Sequence, residues 1–201
     1  MRWSAALDNA TAITLARESG LFVLLIVATF TDIAYGRVYN WLVYPAIVLG
    51  VALSVAAGQV VGAGEPDVVQ SLLEPDVVQS LLGLTLAAGL FGFFFARGWM
   101  GAADVKLAAA IGALKGIGFF VQALIFITLA GFMLAVIVLI WRGRFIGSIK
   151  NCLVFFFRPR KLAKQMEADG RTPDMIPYGV AIAFGTMCVW ILEHWYKITG
   201  N

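Results

Sequence analysis

The chain has 201 residues, 61% of them hydrophobic and 13% charged, with a formal net charge of +3. Soluble domains run near 45–50% apolar and about 25% charged, so one small core cannot hide this surface and lipid must cover part of it. The weak charge gives no footing for nucleic-acid binding, and the isolated Cys152 and Cys188 with the single His194 exclude a disulfide framework and a Cys- or His-built metal site.

A helix that crosses a membrane takes about 17–25 mainly apolar residues. In chain order the apolar runs predict spans over Ser19–Val38, Trp41–Gly62, Val77–Ala96, Ala103–Ile117, Gly118–Trp141 and Ile176–Trp195. Residues 1–18 precede them as an N-terminal outer segment, and 19–196 form a single six-helix membrane domain. The first apolar run lacks the short basic start and small-residue cleavage pattern of a signal peptide, so none is expected.

Residues 63–82 read as an outer loop, because Glu65, Asp67, Glu74 and Asp76 lie there with no Lys or Arg beside them. The nonapeptide EPDVVQSLL occurs twice in tandem, over Glu65–Leu73 and Glu74–Leu82. Solenoids need about three or more longer repeats, so the doubling reads as a duplication tolerated in an exposed loop.

The loop over 142–175 carries Arg142, Arg144, Lys150, Arg158, Arg160, Lys161, Lys164 and Arg171, which places it in the cytoplasm by the positive-inside rule. Within it, Phe145–Phe157 is apolar but too short to span. It is expected to lie on the cytoplasmic surface as a short amphipathic segment with its aromatic face in lipid. One loop outside and one inside require an odd number of crossings between them. The short run Ala103–Ile117 must therefore span, despite Lys106 and Lys115. The expected fold class is all-α integral membrane, with about six transmembrane helices, both termini outside, and Arg37 and Arg97 on cytoplasmic turns.

An ionisable side chain at mid-helix costs roughly 2.5–3.5 kcal/mol on insertion scales. Away from the span ends these are Asp32, Asp104 and Lys106, while Arg17 and Glu18 lie before the first span and Lys115 falls near an outer end. Glu193, His194 and Lys197 read as interfacial. The topology puts Asp32 and Asp104, on different helices, both toward the cytoplasmic side. Two carboxylates at one depth, with no activated Ser or Cys near them in sequence, suit a shared proton: one acts as base toward water, the other as acid toward a carbonyl. A proton-coupled carrier would use the same pair as a relay. It predicts repeated helix patterns, and only the nine-residue doubling is present.

Asp104 follows Gly101-Ala102-Ala103 at a helix start, where it can also act as an N-cap. Asp32 stands near a helix C-terminal end and meets an unfavourable dipole. On that asymmetry Asp104 is the expected base and Asp32 the expected acid. Lys106 lies about 200° around the helix from Asp104, points away and is expected to snorkel to the headgroups. Gly98 and Gly101 read as turn residues, and Gly83, Gly89 and Gly92 as helix-packing positions.

The run Thr31-Asp32-Ile33 followed by Arg37-Val38-Tyr39-Asn40 resembles the first aspartate motif of the type IV prepilin peptidases, where the aspartate precedes an Ile-Pro-Asn turn. Gly101-Ala102-Ala103-Asp104-Val105-Lys106-Leu107 is similar to their second motif, GxGD followed by Val-Lys-Leu. Ile176-Pro177-Tyr178-Gly179-Val180-Ala181 is similar to the Pro-Tyr-Gly start of their last helix. The order and helix placement of all three carry the resemblance, which runs from about Ser19 onward.

The resemblance implies a GxGD-type aspartic endopeptidase of the bacterial cytoplasmic (inner) membrane, with its site toward the cytoplasm. It would remove the basic leader from prepilins using two aspartates and a water, without cofactor or metal. It assigns catalysis to Asp32 and Asp104, with Gly101, Ala103, Lys106, Asn40, Pro177, Tyr178 and Gly179 in support. The prepilin, leader plus apolar helix, and the lipid bilayer are the implied partners, and nucleic acid is not. The first loop is short and cysteine-free, unlike the zinc insert of the larger methylating members, so the chain resembles the small peptidase-only type of tight-adherence (Flp) pili.

Two positions depart from the pattern. Ala103 replaces the second glycine, at a cost of roughly 1–2 kcal/mol if that position needs a positive φ. Tyr39 replaces the proline. Both motivate an alternative, a non-catalytic pilus assembly factor.

Overall fold

The computed structural model describes residues 2–35, 38–61, 75–98, 100–141 and 178–200. They form α1 (Arg2–Tyr35), α2 (Asn40–Val61), α3 (Pro75–Ala96), α4 (Ala102–Trp141) and α5 (Tyr178–Thr199), with no strand among the described residues. Four stretches, Asn9–Tyr35, Asn40–Gly58, Asp76–Ala96 and Ala102–Val138, are long and apolar enough to cross a membrane. The protein is thus an all-α, multi-pass membrane protein.

Large apolar side chains such as Phe30, Ile125, Phe132 and Trp195 point outward, while much of the interior is alanine and glycine. Lipid supplies no hydrophobic drive for helices to associate, so small residues that let backbones approach hold such bundles together. A methyl group added at Gly83 would overlap the backbone of Gly112, one at Gly50 the backbone of Ala113, and one at Gly185 the backbone of Ile127. The Ser80 hydroxyl adds a bond to the Ala113 carbonyl. Gly89 and Gly92, also expected to pack, have no other atom within 4 Å of where a Cβ would stand. Of the three glycines read as packing positions, only Gly83 does so.

The start of α4 is the axis of the bundle. Leu107, Ala108, Ala110, Ile111, Ala113 and Leu114 are all at most 1% exposed. Neighbouring helices cover this short stretch, so its alanines pack against protein.

α4 is not one rod. Gly116 has φ 80° and ψ 176°, outside the helical region, a conformation that glycine alone adopts readily. Asp104 and Gly131 would stand about 40 Å apart along a straight helix. Yet Tyr178 lies against Gly131 and within electrostatic reach of Asp104. The ring of Phe120, just past the break, meets Phe91 of α3 at 6.2 Å between centroids. Residues 102–115 and 117–141 therefore run in opposite directions. The boundary expected between Ile117 and Gly118 falls at Gly116, where the backbone can turn.

α1 begins at Arg2, so residues 2–18 are helical and continuous with the first apolar run. Pro75, at the first position of α3, suits a helix start, and from there the second nonapeptide is helical, with Val77 and Ser80 buried. The first nonapeptide, the basic loop over 142–175 with its Phe145–Phe157 segment, Arg37 and Pro177 lie outside the described residues.

Candidate active site

Asp32 occupies the last turn of α1 and is 9% exposed. Its Oδ2 accepts the N–H of Gly179, in the first turn of α5, at 3.0 Å. The approach needs glycine: a Cβ at position 179 would come within 2.5 Å of that oxygen. Asp104, 8% exposed, is the third residue of α4. Its Oδ2 accepts the Gly101 N–H at 3.2 Å, while its own N–H donates to the Gly101 carbonyl at 3.2 Å. This is the acidic half of a capping box, not the N-cap itself.

The two carboxylates interact electrostatically, so the ends of α1 and α4 meet at one site. Each is held through one oxygen by a backbone N–H. Among the described residues no Lys or Arg pairs with either. The expected asymmetry between them loses its basis, because Asp32 also faces a helix N-terminus, that of α5, whose dipole opposes that of its own helix.

Ala103 is helical, and no non-glycine among the described residues has a positive φ. The alanine therefore carries no backbone strain. The Tyr39 carbonyl accepts the N–H groups of Leu42 at 3.2 Å and Val43 at 3.4 Å, which starts α2 without a proline. Between α3 and the site, Gly98 has φ 74° and donates its N–H to the Phe95 carbonyl at 2.8 Å. This left-handed helix stop favours glycine.

Lys106 is not simply released to the headgroups. Its Nζ donates to Asn40 Oδ1 at 2.7 Å and lies 5.8 Å from the Tyr44 ring centroid. The bond ties the start of α2 to the start of α4. Tyr178 is half-buried, with its ring on Gly131. Of the motif residues, Asn40, Gly101, Ala103, Asp104, Lys106, Tyr178 and Gly179 gather with Asp32 at one end of the bundle.

Sequence reasoning missed two features. One is Gly131. The other is a polar cluster at the opposite end, where Lys115 Nζ donates to Glu18 Oε1 at 2.7 Å and Glu193 Oε2 at 3.2 Å. Trp190 Nε1 donates to Glu18 Oε2 at 2.6 Å. Arg17 next door reaches Ser54 at 3.2 Å and Asp76 at 3.7 Å. A usable signal existed: the six-span reading puts Glu18, Lys115 and Glu193 at one depth. Among the described residues no three His, Cys, Asp or Glu side chains gather as a metal site.

Two buried carboxylates that interact at the ends of packed helices, each held by a backbone donor, mark the candidate centre of a polytopic membrane protein. A family model described as the type IV leader peptidase family matches residues 20–140, more than half of the chain and including both aspartates, and the chain belongs to that family. It is accordingly a leader-peptidase-like protease. No curated protein and no solved structure matches the chain.

Proposed function

We propose that the protein is a membrane aspartic endopeptidase that removes the basic leader from type IV, Flp-like prepilins at the cytoplasmic face. The observation that carries this reading is the pairing of Asp32 with Asp104. They come from separate helices, are both buried, interact electrostatically, and are each fixed by one backbone N–H.

One carboxylate takes a proton from water while the other gives one to the scissile carbonyl oxygen. The tetrahedral intermediate then collapses as the amine leaves with a proton, and no covalent enzyme intermediate forms. Because both aspartates face a helix start, the acid and base roles belong to the pair rather than to either residue. Gly101 and Gly179 hold the carboxylates, the Asn40–Lys106 bond braces the helices around them, and Pro177 precedes the Tyr178-Gly179 turn.

A prepilin would enter laterally, its apolar helix packed among those of the enzyme, with the scissile peptide extended where protein or water surrounds it. The turn at Gly116 supports six crossings, since it divides α4 into two helices. The basic loop over 142–175 supports a cytoplasmic site. The few residues between α1 and α2 leave no room for a zinc insert and favour the peptidase-only type. Ala103 and Tyr39, which motivated the assembly-factor alternative, both fit without strain.

The test is co-expression of a Flp-type prepilin with the parent, Asp32→Asn or Asp104→Asn, at matched membrane levels. The parent should release the leader, and each variant should lose activity by about 10³-fold or more. Leader release that survives either substitution would overturn the site.

A further inference from the structure

The first turn of α5 docks on two helices through consecutive residues. Tyr178 lies on the 117–141 helix at Gly131, and Gly179 lies on α1 at Asp32. A Cβ at Gly131 would stand 2.7 Å from the Tyr178 hydroxyl oxygen, 2.9 Å from Cε2 and 3.0 Å from Cζ. These atoms belong to a rigid ring packed against the core, so the ring cannot yield as a flexible tail would. Further along α5, Gly185 rests on the Ile127 backbone. That contact fixes the helix beyond its first turn. A ring pushed off Gly131 therefore tilts the start of α5 about Gly185 and draws the Gly179 N–H away from Asp32.

We propose that Gly131 is a positioning residue: its bare backbone seats Tyr178, and the seated Tyr178 sets the N–H of Gly179 that holds Asp32 beside Asp104. The inference rests on the peptidase reading for its consequence, but its structural half stands apart from activity. Gly118, on the same helix, has no other atom within 4 Å of where a Cβ would stand and makes a matched control.

The experiment uses full-length protein in lipid nanodiscs and compares Gly131→Ala, Gly118→Ala and Gly131→Ala combined with Tyr178→Phe. Two quantities are read: hydrogen exchange of the Gly179 amide by glycine-selective labelling, and kcat and KM for prepilin cleavage. Gly131→Ala should speed Gly179 exchange about tenfold. It should lower kcat about tenfold or more with KM nearly unchanged, because a misplacement of about 1 Å is enough to cost that much. Gly118→Ala should change neither, and Tyr178→Phe, which removes the nearest atom, should restore part of both.

Should Gly131→Ala fail to fold, Tyr178→Leu removes the ring without adding bulk and should give the same signature. Parent-like exchange and kcat in Gly131→Ala would overturn the inference while leaving the peptidase reading intact. The same result in Tyr178→Leu would also overturn it. Faster Gly179 exchange in Gly131→Ala, alongside a parent that cleaves no prepilin, would sink the peptidase reading and leave the packing relay standing.

Discussion

At one end of the bundle Glu18 and Glu193 close on Lys115, and Trp190 takes the remaining oxygen of Glu18. At the other end Asp32 and Asp104 interact electrostatically, and among the described residues each is held by one backbone N–H group. The same helices supply both ends: α1 carries Glu18 and Asp32, α4 carries Lys115 and Asp104, and α5 carries Glu193 and Gly179. On α1 the two acids are about 21 Å apart along the axis. Where a cation and a ring N–H absorb the charge, the carboxylate is committed to holding helices together. Where neither is present, a carboxylate oxygen stays available for a proton, a water or a peptide. The arrangement joins a fastened end to a chemically open one.

The largest effect that sharpens this contrast is Lys115→Met. It leaves Glu18 without its cation, while Glu193 keeps Lys197 at 3.1 Å, and should cost about 3 kcal/mol of unfolding free energy, read by SDS titration in mixed micelles. The kcat of the protein that remains folded should stay close to that of the parent. Adding Glu18→Gln and Glu193→Gln should recover most of the loss, since the buried charges go with the cation. A silent Lys115→Met would break the comparison.

Lys106→Met should have a smaller effect, because the Asn40 bond is near the surface. About 1 kcal/mol of stability is expected to go, with cleavage reduced only a few-fold in a kinetic assay. The smallest effect is on the stability of Asp32→Asn. With no ion partner for Asp32 among the described residues, this variant should unfold within about 1 kcal/mol of the parent, or be slightly more stable. A loss as large as that of Lys115→Met would mean that Asp32 is a structural acid after all.

Much of the site was legible without coordinates. Asp32 and Asp104 stood out because a charge in an apolar run is expensive whatever surrounds it. Length and composition account for the four apolar stretches long enough to cross a membrane, and the break in α4 was expected within two residues of Gly116. The holders of the carboxylates were harder. Gly101 lies close in sequence to Asp104 and belongs to the same motif. Gly179 is 147 positions from Asp32, and nothing local marks its N–H as the donor. Acid and base roles read from each helix's own dipole leave out the start of α5, which adds a second dipole at Asp32.

Glycines show the division most plainly. Gly83, Gly89, Gly118 and Gly131 all sit in apolar helical sequence, yet Gly83 packs on backbone, Gly131 seats an aromatic ring, and Gly89 and Gly118 face open space. The sequence by itself determined the membrane class, the helical runs and the two acids, because the transfer of each residue into lipid is a property of that residue. Only the tertiary structure decided which N–H holds which carboxylate, which glycine is closely packed and which acids are neutralised. Those depend on the register of one helix against another, and register is set by packing summed along the whole contact.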